Sequence, residues 1–71
     1  MQLQRIGTAI GIDQLGEQRF VSVYRDGPGY KLSGPGGSRI INESAIESAL
    51  KAVAEQYRLT GIKYQGTTRT H

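Results

Sequence analysis

Isoleucine and small residues alternate near the start of the chain, in residues 6–12, "IGTAIGI". A period of two is typical of a β-strand with one buried face. We take the isoleucine side as the buried one, which assigns Ile6 and Ile10 to the core. The second face, made of glycine and alanine, is then either open or covered by something that packs close to it.

Residues 19–25, "RFVSVYR", form the strongest strand signal, because β-branched and aromatic residues fill the stretch. Val21 and Val23 share one face, and Phe20 and Tyr24 share the other. We expect the valine face to belong to the core.

The remaining strands are shorter and are separated by glycine-containing turns. Residues 13–18, "DQLGEQ", and residues 26–29, "DGPG", have the composition of turns. Strands are expected at residues 30–33 and 62–66. Residues 39–41 form either a further short strand or the lead into a helix.

A single helix is predicted after residue 44. Apolar residues recur at helical spacing along one stripe, which consists of Ile46, Ala49, Leu50, Val53 and Tyr57. Ser44 and Glu47 have the spacing of a capping box at its start, and Asn42 is a rival cap. Gly61 can supply the left-handed residue that ends it.

The order of elements is therefore β-β-β-(β)-α-β, which describes an α+β domain. Its antiparallel sheet has four strands, or five if residues 39–41 pair, and one helix covers one face. The expected core consists of Ile6, Ile10, Val21, Val23, Ile46, Leu50, Val53 and Ile62. We expect a single small domain over residues 1–71, in which residues 66–71 form a frayed tail.

Composition limits what a chain of 71 residues can contain. There is no cysteine, and the single histidine is His71, so disulfides and a zinc site have no basis. The net charge of +3 comes from cationic residues spread singly along the chain. No stretch is long and apolar enough to cross a membrane and no targeting signal is recognisable, so we expect a cytoplasmic protein without membrane contact.

The glycine run at residues 34–37 matches neither nucleotide-binding fingerprint. Arg39 stands where a dinucleotide loop has its third glycine, and no lysine–hydroxyl pair follows as in a P-loop. The six carboxylates have no cysteine, and only a terminal histidine, with which to complete a catalytic constellation. We therefore predict that the protein is not an enzyme and has no catalytic residue, cofactor or metal site.

The candidate site is a surface rather than a pocket. One helix leaves one sheet face uncovered, and the aromatic side chains of residues 19–25 belong to the face away from the valines. Aromatic residues with neighbouring cations are typical of protein interfaces, and also of platforms on which nucleic-acid bases stack. The candidate partner-binding residues are Arg19, Phe20, Tyr24, Arg25, Tyr30 and Arg39.

Four segments carry a further pattern: "YRDG" at 24–27, "GGSRII" at 36–41, "AIESALKAVAEQY" at 45–57 and "GIKYQGT" at 61–67. Over about residues 20–68 the chain resembles a domain family of large polyvalent proteins from conjugative plasmids and phages, the seventh type of polyvalent-protein-associated domain. The matching positions are mainly Ala45, Ala49, Leu50, Ala52, Ala54, Ile62 and Gly66. The family pattern has a glycine soon after the helical tyrosine, where this chain has Arg58.

The resemblance implies the setting of a mobile genetic element and brings no catalytic residue. A small protein in that setting is similar to anti-CRISPR and anti-restriction proteins. We expect an inhibitor that contacts a host defence complex, either a host protein or a ribonucleoprotein. Two alternatives stay open: an auxiliary nucleic-acid-binding module that uses the dispersed arginines, and a structural homodimer that closes an open sheet face or edge.

Overall fold

A computed structural model describes residues 4–66, which form one sheet and one helix. The elements are β1 (Gln4–Ile12), β2 (Gln18–Asp26), β3 (Gly29–Gly34), β4 (Gly37–Ile41), α1 (Ile46–Tyr57) and β5 (Thr60–Gly66). The predicted α+β class is confirmed, and residues 39–41 belong to a paired strand, so the sheet has five strands. The frayed tail was predicted over residues 66–71, but Gly66 is the last residue of β5 and pairs with Gly7. Residues 67–71 lie outside the described part of the chain.

The strands are arranged in the order β4-β3-β2-β1-β5, and every neighbouring pair is antiparallel. β4 and β5 are therefore the two edges, although they are consecutive strands in the chain. The connection between them has to cross the whole sheet, and α1 lies in that connection, where it contacts β1, β3, β4 and β5. Within residues 4–66 the helix covers one face and no element covers the other.

The buried face of β1 is the opposite of the predicted one. Gly7 and Gly11 are buried, whereas Ile10 lies on the uncovered face. Large side chains occupy the space above the glycines: a Cβ atom on Gly7 would lie 2.5 Å from the hydroxyl oxygen of Tyr64, and one on Gly11 would lie 2.7 Å from Cδ1 of Ile62. The small residues are needed on this face because β5 side chains pack directly on the strand.

The core lies between α1 and the sheet. Its buried residues are Ala9, Val21, Val23, Tyr30, Leu32, Ile41, Ala49, Ala52, Val53 and Leu59. The predictions for Val21, Val23 and Val53 are thus confirmed, and the prediction for Ile10 is wrong. Four other predicted core residues are only partly buried and pack against this cluster: Ile6, Ile46, Leu50 and Ile62.

Both ends of α1 differ from the prediction. The N-cap residue is Ala45 and no side chain caps the helix, so the capping box of Ser44 and Glu47 does not form. At the other end, Arg58 adopts the left-handed conformation, with φ 55° and ψ 54°, and ends the helix before Gly61 is reached. A left-handed arginine is strained relative to glycine by about 1 kcal/mol.

Candidate binding face

The uncovered side of the sheet, called the open face from here on, presents side chains from all five strands. The strand alternation and the cross-strand register assign its members: Arg5, Thr8, Ile10, Ile12, Gln18, Phe20, Ser22, Tyr24, Asp26, Lys31, Ser33, Ser38, Ile40, Lys63 and Gln65. Clefts of about 370 and 350 Å³ both border α1, on the other side of the sheet. A sheet surface of this kind suits a macromolecular partner better than a small molecule, which needs enclosure.

A polar row crosses the middle of the open face. One residue from each strand contributes to it, in the order Ser38, Ser33, Ser22, Thr8 and Gln65. Neighbouring strands are about 4.8 Å apart, so the row is about 19 Å long. Its hydroxyl and amide groups can both donate and accept hydrogen bonds.

On one side of the polar row, Tyr24 lies between two cationic residues. Arg5 of β1 pairs with it on one side and Lys31 of β3 pairs with it on the other. The guanidinium group of Arg5 also donates a hydrogen bond to the hydroxyl oxygen of Thr8. Ile40 of the edge strand β4 lies next to Lys31. This part of the face combines aromatic, cationic and aliphatic side chains.

On the other side of the polar row, the face is largely apolar. Phe20 pairs with Ile10, and Ile10 pairs in turn with Lys63 of β5. The exposed fraction is 56% for Phe20 and 38% for Ile12 on this side of the row, and 51% for Ile40 on the side of Tyr24. Single exposed apolar residues are ordinary, but several on one face are typical of a contact surface.

The net positive charge of the described residues is concentrated on the open face. Three cationic residues, Arg5, Lys31 and Lys63, lie there against one carboxylate, Asp26, which shares this face at the end of β2. Elsewhere in residues 4–66 the two signs balance, with Arg19, Arg25, Arg39, Lys51 and Arg58 against Asp13, Glu17, Glu43, Glu47 and Glu55. The exposed aromatic residues and the excess positive charge therefore occupy the same side of the sheet.

The structure divides the predicted partner-binding residues between the two sides of the sheet. Phe20 and Tyr24 lie on the open face, but Arg19 and Arg25 lie on the side of the valines. These arginines do not flank Phe20 and Tyr24 on the open face. They are separated from the valines by an even number of residues, and such residues of a strand lie on the same side. The cationic residues that do flank it come from β1, β3 and β5, and only the strand register brings them together.

Arg19, Arg25 and Tyr30 make contacts within the domain. Nε of Arg19 donates a hydrogen bond to the Asp13 carboxylate at 2.7 Å. The guanidinium carbon of Arg25 lies 5.1 Å from the ring centroid of Tyr30, within the range of a cation–π contact. Tyr30 is buried and its hydroxyl donates a hydrogen bond to the backbone oxygen of Ser44 at 2.6 Å. Tyr30 is therefore a core residue and does not belong to the open face.

Arg39 lies exposed on the helix side of the edge strand β4. It borders the cleft of about 350 Å³ together with Glu43, Lys51 and Glu55. A charged side chain on an edge strand hinders pairing with the edge of another molecule. Lys63 is the exposed cation of the opposite edge strand, β5, where it lies on the open face. Protection of the two edges gives Arg39 a structural role that the sequence did not reveal.

The loop between β1 and β2 is organised by one carboxylate. Asp13 accepts hydrogen bonds from the backbone nitrogens of Leu15 and Glu17, both at 2.9 Å, as well as from Arg19. The pKa of Asp13 is held below its ordinary value, mainly by the hydrogen bond from the Glu17 amide and next by the hydrogen bond from the Arg19 side chain. At the tip of the loop, Leu15 is 81% exposed. From the sequence this segment is predicted only as a turn, and the one signal that could have pointed to Leu15 is that it is a large apolar residue in a loop.

The hydroxyl groups of Tyr57 and Tyr64, on the helix side, bind backbone oxygens of the sheet. Burial raises the pKa of Tyr57 and of Tyr64. Each hydroxyl donates a hydrogen bond to a backbone oxygen, that of Gly37 for Tyr57 and that of Ile6 for Tyr64. Across residues 4–66 there is no group of three or more acidic or histidine side chains that could hold a metal ion. In the same part of the chain, no helix is long and apolar enough to cross a membrane.

Compared with protein-family models, with curated proteins and with solved structures, the chain matches none.

Proposed function

We propose that this chain is a non-enzymatic binding protein that works through its open face, and that its partner is a protein of a host defence complex. The supporting observation is the exposure of Phe20, Ile40 and Ile12 on one uncovered sheet face. Exposed apolar side chains that share one face are a solubility liability unless a partner covers them. The mobile-element setting, and with it an anti-CRISPR or anti-restriction role, comes from the resemblance to the polyvalent-protein-associated domain.

The dimensions and chemistry of the open face suit a protein partner. Five strands about 4.8 Å apart and about seven residues of each longer strand make a surface about 24 Å on a side. A standard protein interface covers about 800 Å² on each partner, which is about 28 Å on a side. The aromatic residues Phe20 and Tyr24, together with Arg5, are of the types enriched in such interfaces. The excess positive charge selects a partner surface that is acidic.

Affinity capture with matched variants tests this proposal. The chain is immobilised and exposed to a lysate of a host that carries active defence systems. We expect a defence protein to be retained by the wild type and by Gln56→Asp, a helix-side control, and to be lost with Phe20→Asp. The two variants add the same charge at exposed positions on opposite sides of the domain. Equal retention by all three forms, or recovery of nucleic acid without protein, would contradict the proposal.

The coincidence of positive charge and aromatic side chains favours a second candidate, an auxiliary nucleic-acid-binding module of a plasmid or phage. Phe20 and Tyr24 are four residues apart in β2, about 13 Å, and bases could stack on both. Arg5 and Lys31 flank Tyr24, where phosphate groups would need positive charge. Three phosphate contacts on a single strand predict a slope of about −2 for log K against log salt.

Fluorescence anisotropy with a single-stranded oligonucleotide tests the second candidate. We expect Lys31→Ala to weaken binding and to reduce the salt slope, and Lys51→Ala, on the exposed side of α1, to leave both unchanged. Absence of binding at about 50 mM salt would remove this candidate.

A homodimer closed over the open face is the third possibility and is opposed by charge. It would bring Arg5, Lys31 and Lys63 of two copies towards one another, and like charges that face each other are destabilising. We expect sedimentation to show a monomer at all concentrations. A dimer that Phe20→Asp dissociates would instead support this alternative.

A further inference from the structure

The outer edge of β4 is a regular and accessible stretch of backbone. Four of its five residues are exposed, and the strand has a neighbour, β3, on one side only. Gly34 and Gly37 are direct partners across a two-residue turn, so this pair exchanges both of its backbone hydrogen bonds, and the pattern alternates along the strand. The backbone groups of Ser38 and Ile40 therefore point away from β3. Within residues 4–66 these two donors and two acceptors have no hydrogen-bond partner.

The other edge of the sheet, β5, is less regular. Its register with β1 shifts between the partners of Ile10 and Ile12, and Gly61 in this stretch has a φ of 61°. A bulge of this kind interrupts the alternation of outward-pointing backbone groups and hinders further pairing. The register of β4 with β3 has no shift. Addition of a strand is therefore favoured at β4.

The β3–β4 hairpin is positively charged on both sides of the sheet. Its two strands contain Lys31 on the open face and Arg39 on the helix side, and they contain no carboxylate. Arg39 forms no ion pair within residues 4–66. It borders the cleft of about 350 Å³ between β4 and α1, whose lining includes the buried residues Ile41 and Ala52. An unpaired cation thus lies beside space that side chains of an added strand would enter.

Two carboxylates also border this cleft, and they lie towards its ends. Glu43 comes two residues after the end of β4. Glu55 comes two residues before Tyr57, whose hydroxyl donates a hydrogen bond to the backbone oxygen of Gly37 at the start of β4. The helix therefore runs antiparallel to β4, and Arg39, in the middle of the strand, lies between the two carboxylates. Along the edge, the order of charges is negative, positive, negative.

We propose that β4 binds an extended peptide segment of a partner protein as a sixth strand, with an acidic side chain opposite Arg39. The residues opposite Ser38 and Ile40 exchange main-chain hydrogen bonds with the outward groups of β4. Side chains of the added strand alternate between the two sides, so the acidic one lies on the helix side and its neighbours lie on the open face. An apolar neighbour covers Ile40, which is 51% exposed. This contact does not depend on the proposed function.

Charge distinguishes this occupant from a second copy of the chain. When two β4 edges pair antiparallel, the register that uses all four outward groups places Arg39 directly opposite Arg39 of the other copy. Like charges directly opposite are destabilising, and opposite charges stabilise a cross-strand pair. The same arginine therefore opposes pairing between like edges and favours an acidic strand.

A synthetic peptide tests the edge directly. It has nine residues, with valine on one side and threonine on the other, a glutamate at the centre, and a lysine at each end to match the carboxylates of the cleft. The peptide is titrated into the ¹⁵N-labelled chain, and amide hydrogen exchange is followed by NMR. We expect the Ser38 and Ile40 amides to exchange about tenfold or more slowly when peptide is bound, and the β5 amides to stay unchanged. Absence of protection at about 1 mM peptide, protection on β5 instead, or protection that grows with chain concentration alone would overturn the proposal.

Two methylated peptides separate strand pairing from attraction by charge alone. An N-methyl group on a valine next to the glutamate removes a donor directed at β4, whereas one on the glutamate removes a donor that points away. We expect about tenfold or more loss of affinity for the first peptide and less than about twofold for the second. Equal losses would show that the peptide does not pair as a strand.

An exchange of charges tests the role of Arg39. We expect a peptide with a central lysine to bind the wild type about tenfold or more weakly than the glutamate peptide, and Arg39→Glu to reverse that preference. Arg39 is exposed, so this variant should melt with the wild type. The same preference in both forms would overturn the assignment of an acidic residue opposite Arg39. Phe20→Asp, two strands away on β2, should leave peptide binding unchanged, so a failure at the edge leaves the proposed function standing.

Discussion

Two adjacent substitutions, Gly11→Ala and Ile10→Thr, test which face of β1 is buried, and with it the identity of the open face. A Cβ atom on Gly11 would lie 2.7 Å from Cδ1 of Ile62 and 2.8 Å from Cβ of Leu59. Leu59 is buried, and its Cβ atom moves only with the backbone. Alanine therefore forces a shift of β1 or of the segment between α1 and β5. Ile10, by contrast, is half-buried between Phe20 and Lys63 on the open face.

The magnitudes follow from these surroundings. Overpacking costs about 1–3 kcal/mol, and alanine recovers up to about 1 kcal/mol of it by restricting the unfolded chain, so Gly11→Ala should cost about 1–2 kcal/mol. Threonine keeps the branched shape of isoleucine and removes only partly exposed apolar surface, so Ile10→Thr should cost less than about 1 kcal/mol. A domain of this size is stable by about 4–11 kcal/mol, so both variants should fold.

Thermal and urea unfolding followed by circular dichroism measure the difference. One kcal/mol corresponds to about 4–8 °C in a domain of this size, so Gly11→Ala should melt about 5–15 °C below the wild type. The urea slope should stay unchanged if both variants keep the fold. The sequence alternation of β1 alone, which assigned Ile10 to the core, predicts instead that Ile10→Thr is the more destabilising of the two. A larger loss for Ile10→Thr than for Gly11→Ala would refute the assignment of the open face.

Three further predictions concern the turns and the helix end. Gly29→Ala should cost about 3 kcal/mol in urea titrations, because its Cβ atom would lie 1.8 Å from the backbone oxygen of Ile41. Gly27→Ala should cost about 1 kcal/mol, because the space around Gly27 is open and only its φ of 59° is unfavourable for alanine. Equal costs would contradict that reason. Arg58→Gly should raise the stability by up to about 1 kcal/mol, because φ is 55° there, while Arg58→Ala should bring no gain. The pKa of Asp13 is lowered in the folded chain, so its hydrogen bonds form fully above the ordinary aspartate pKa and are lost as the pH falls through the lowered value. Amide protection in its loop should therefore decrease only below about pH 4, and Asp13→Asn should lack that dependence; the same pH profile in both forms would contradict it.

Local patterns predicted most of the elements because they depend on neighbours in the sequence. The stripe through Val53 predicts the helix from its own spacing, and the valines of β2 predict a strand with one buried face. The same local signals are weaker at boundaries. Ser44 and Glu47 have the spacing of a capping box, but the helix begins at Ile46 with Ala45 as its cap. Helix caps depend on where the preceding strand places the chain, which spacing alone does not include.

The candidate site was predicted in part. The alternation of β2 placed Phe20 and Tyr24 together and away from the valines, as the structure has them. The same alternation places Arg19 and Arg25 on the side of the valines. They were expected beside Phe20 and Tyr24 because they are their neighbours in the sequence, but neighbouring residues of a strand point to opposite faces. Leu15 carries no periodic signal at all, because its exposure depends on how Asp13 holds the loop.

By itself, the sequence determined the helix, four of the five strands, the turns between them and the absence of cysteine, and left residues 39–41 open. These properties follow from local periodicity and composition. Only the tertiary structure decided which side of β1 is buried, because alternation separates two faces without choosing between them. That choice depends on Tyr64 and Ile62, which β5 brings over Gly7 and Gly11 from more than fifty residues away in the chain. The same long-range register brings Arg5, Lys31 and Lys63 to the aromatic face, because pairing across five strands joins residues that no short stretch of sequence connects.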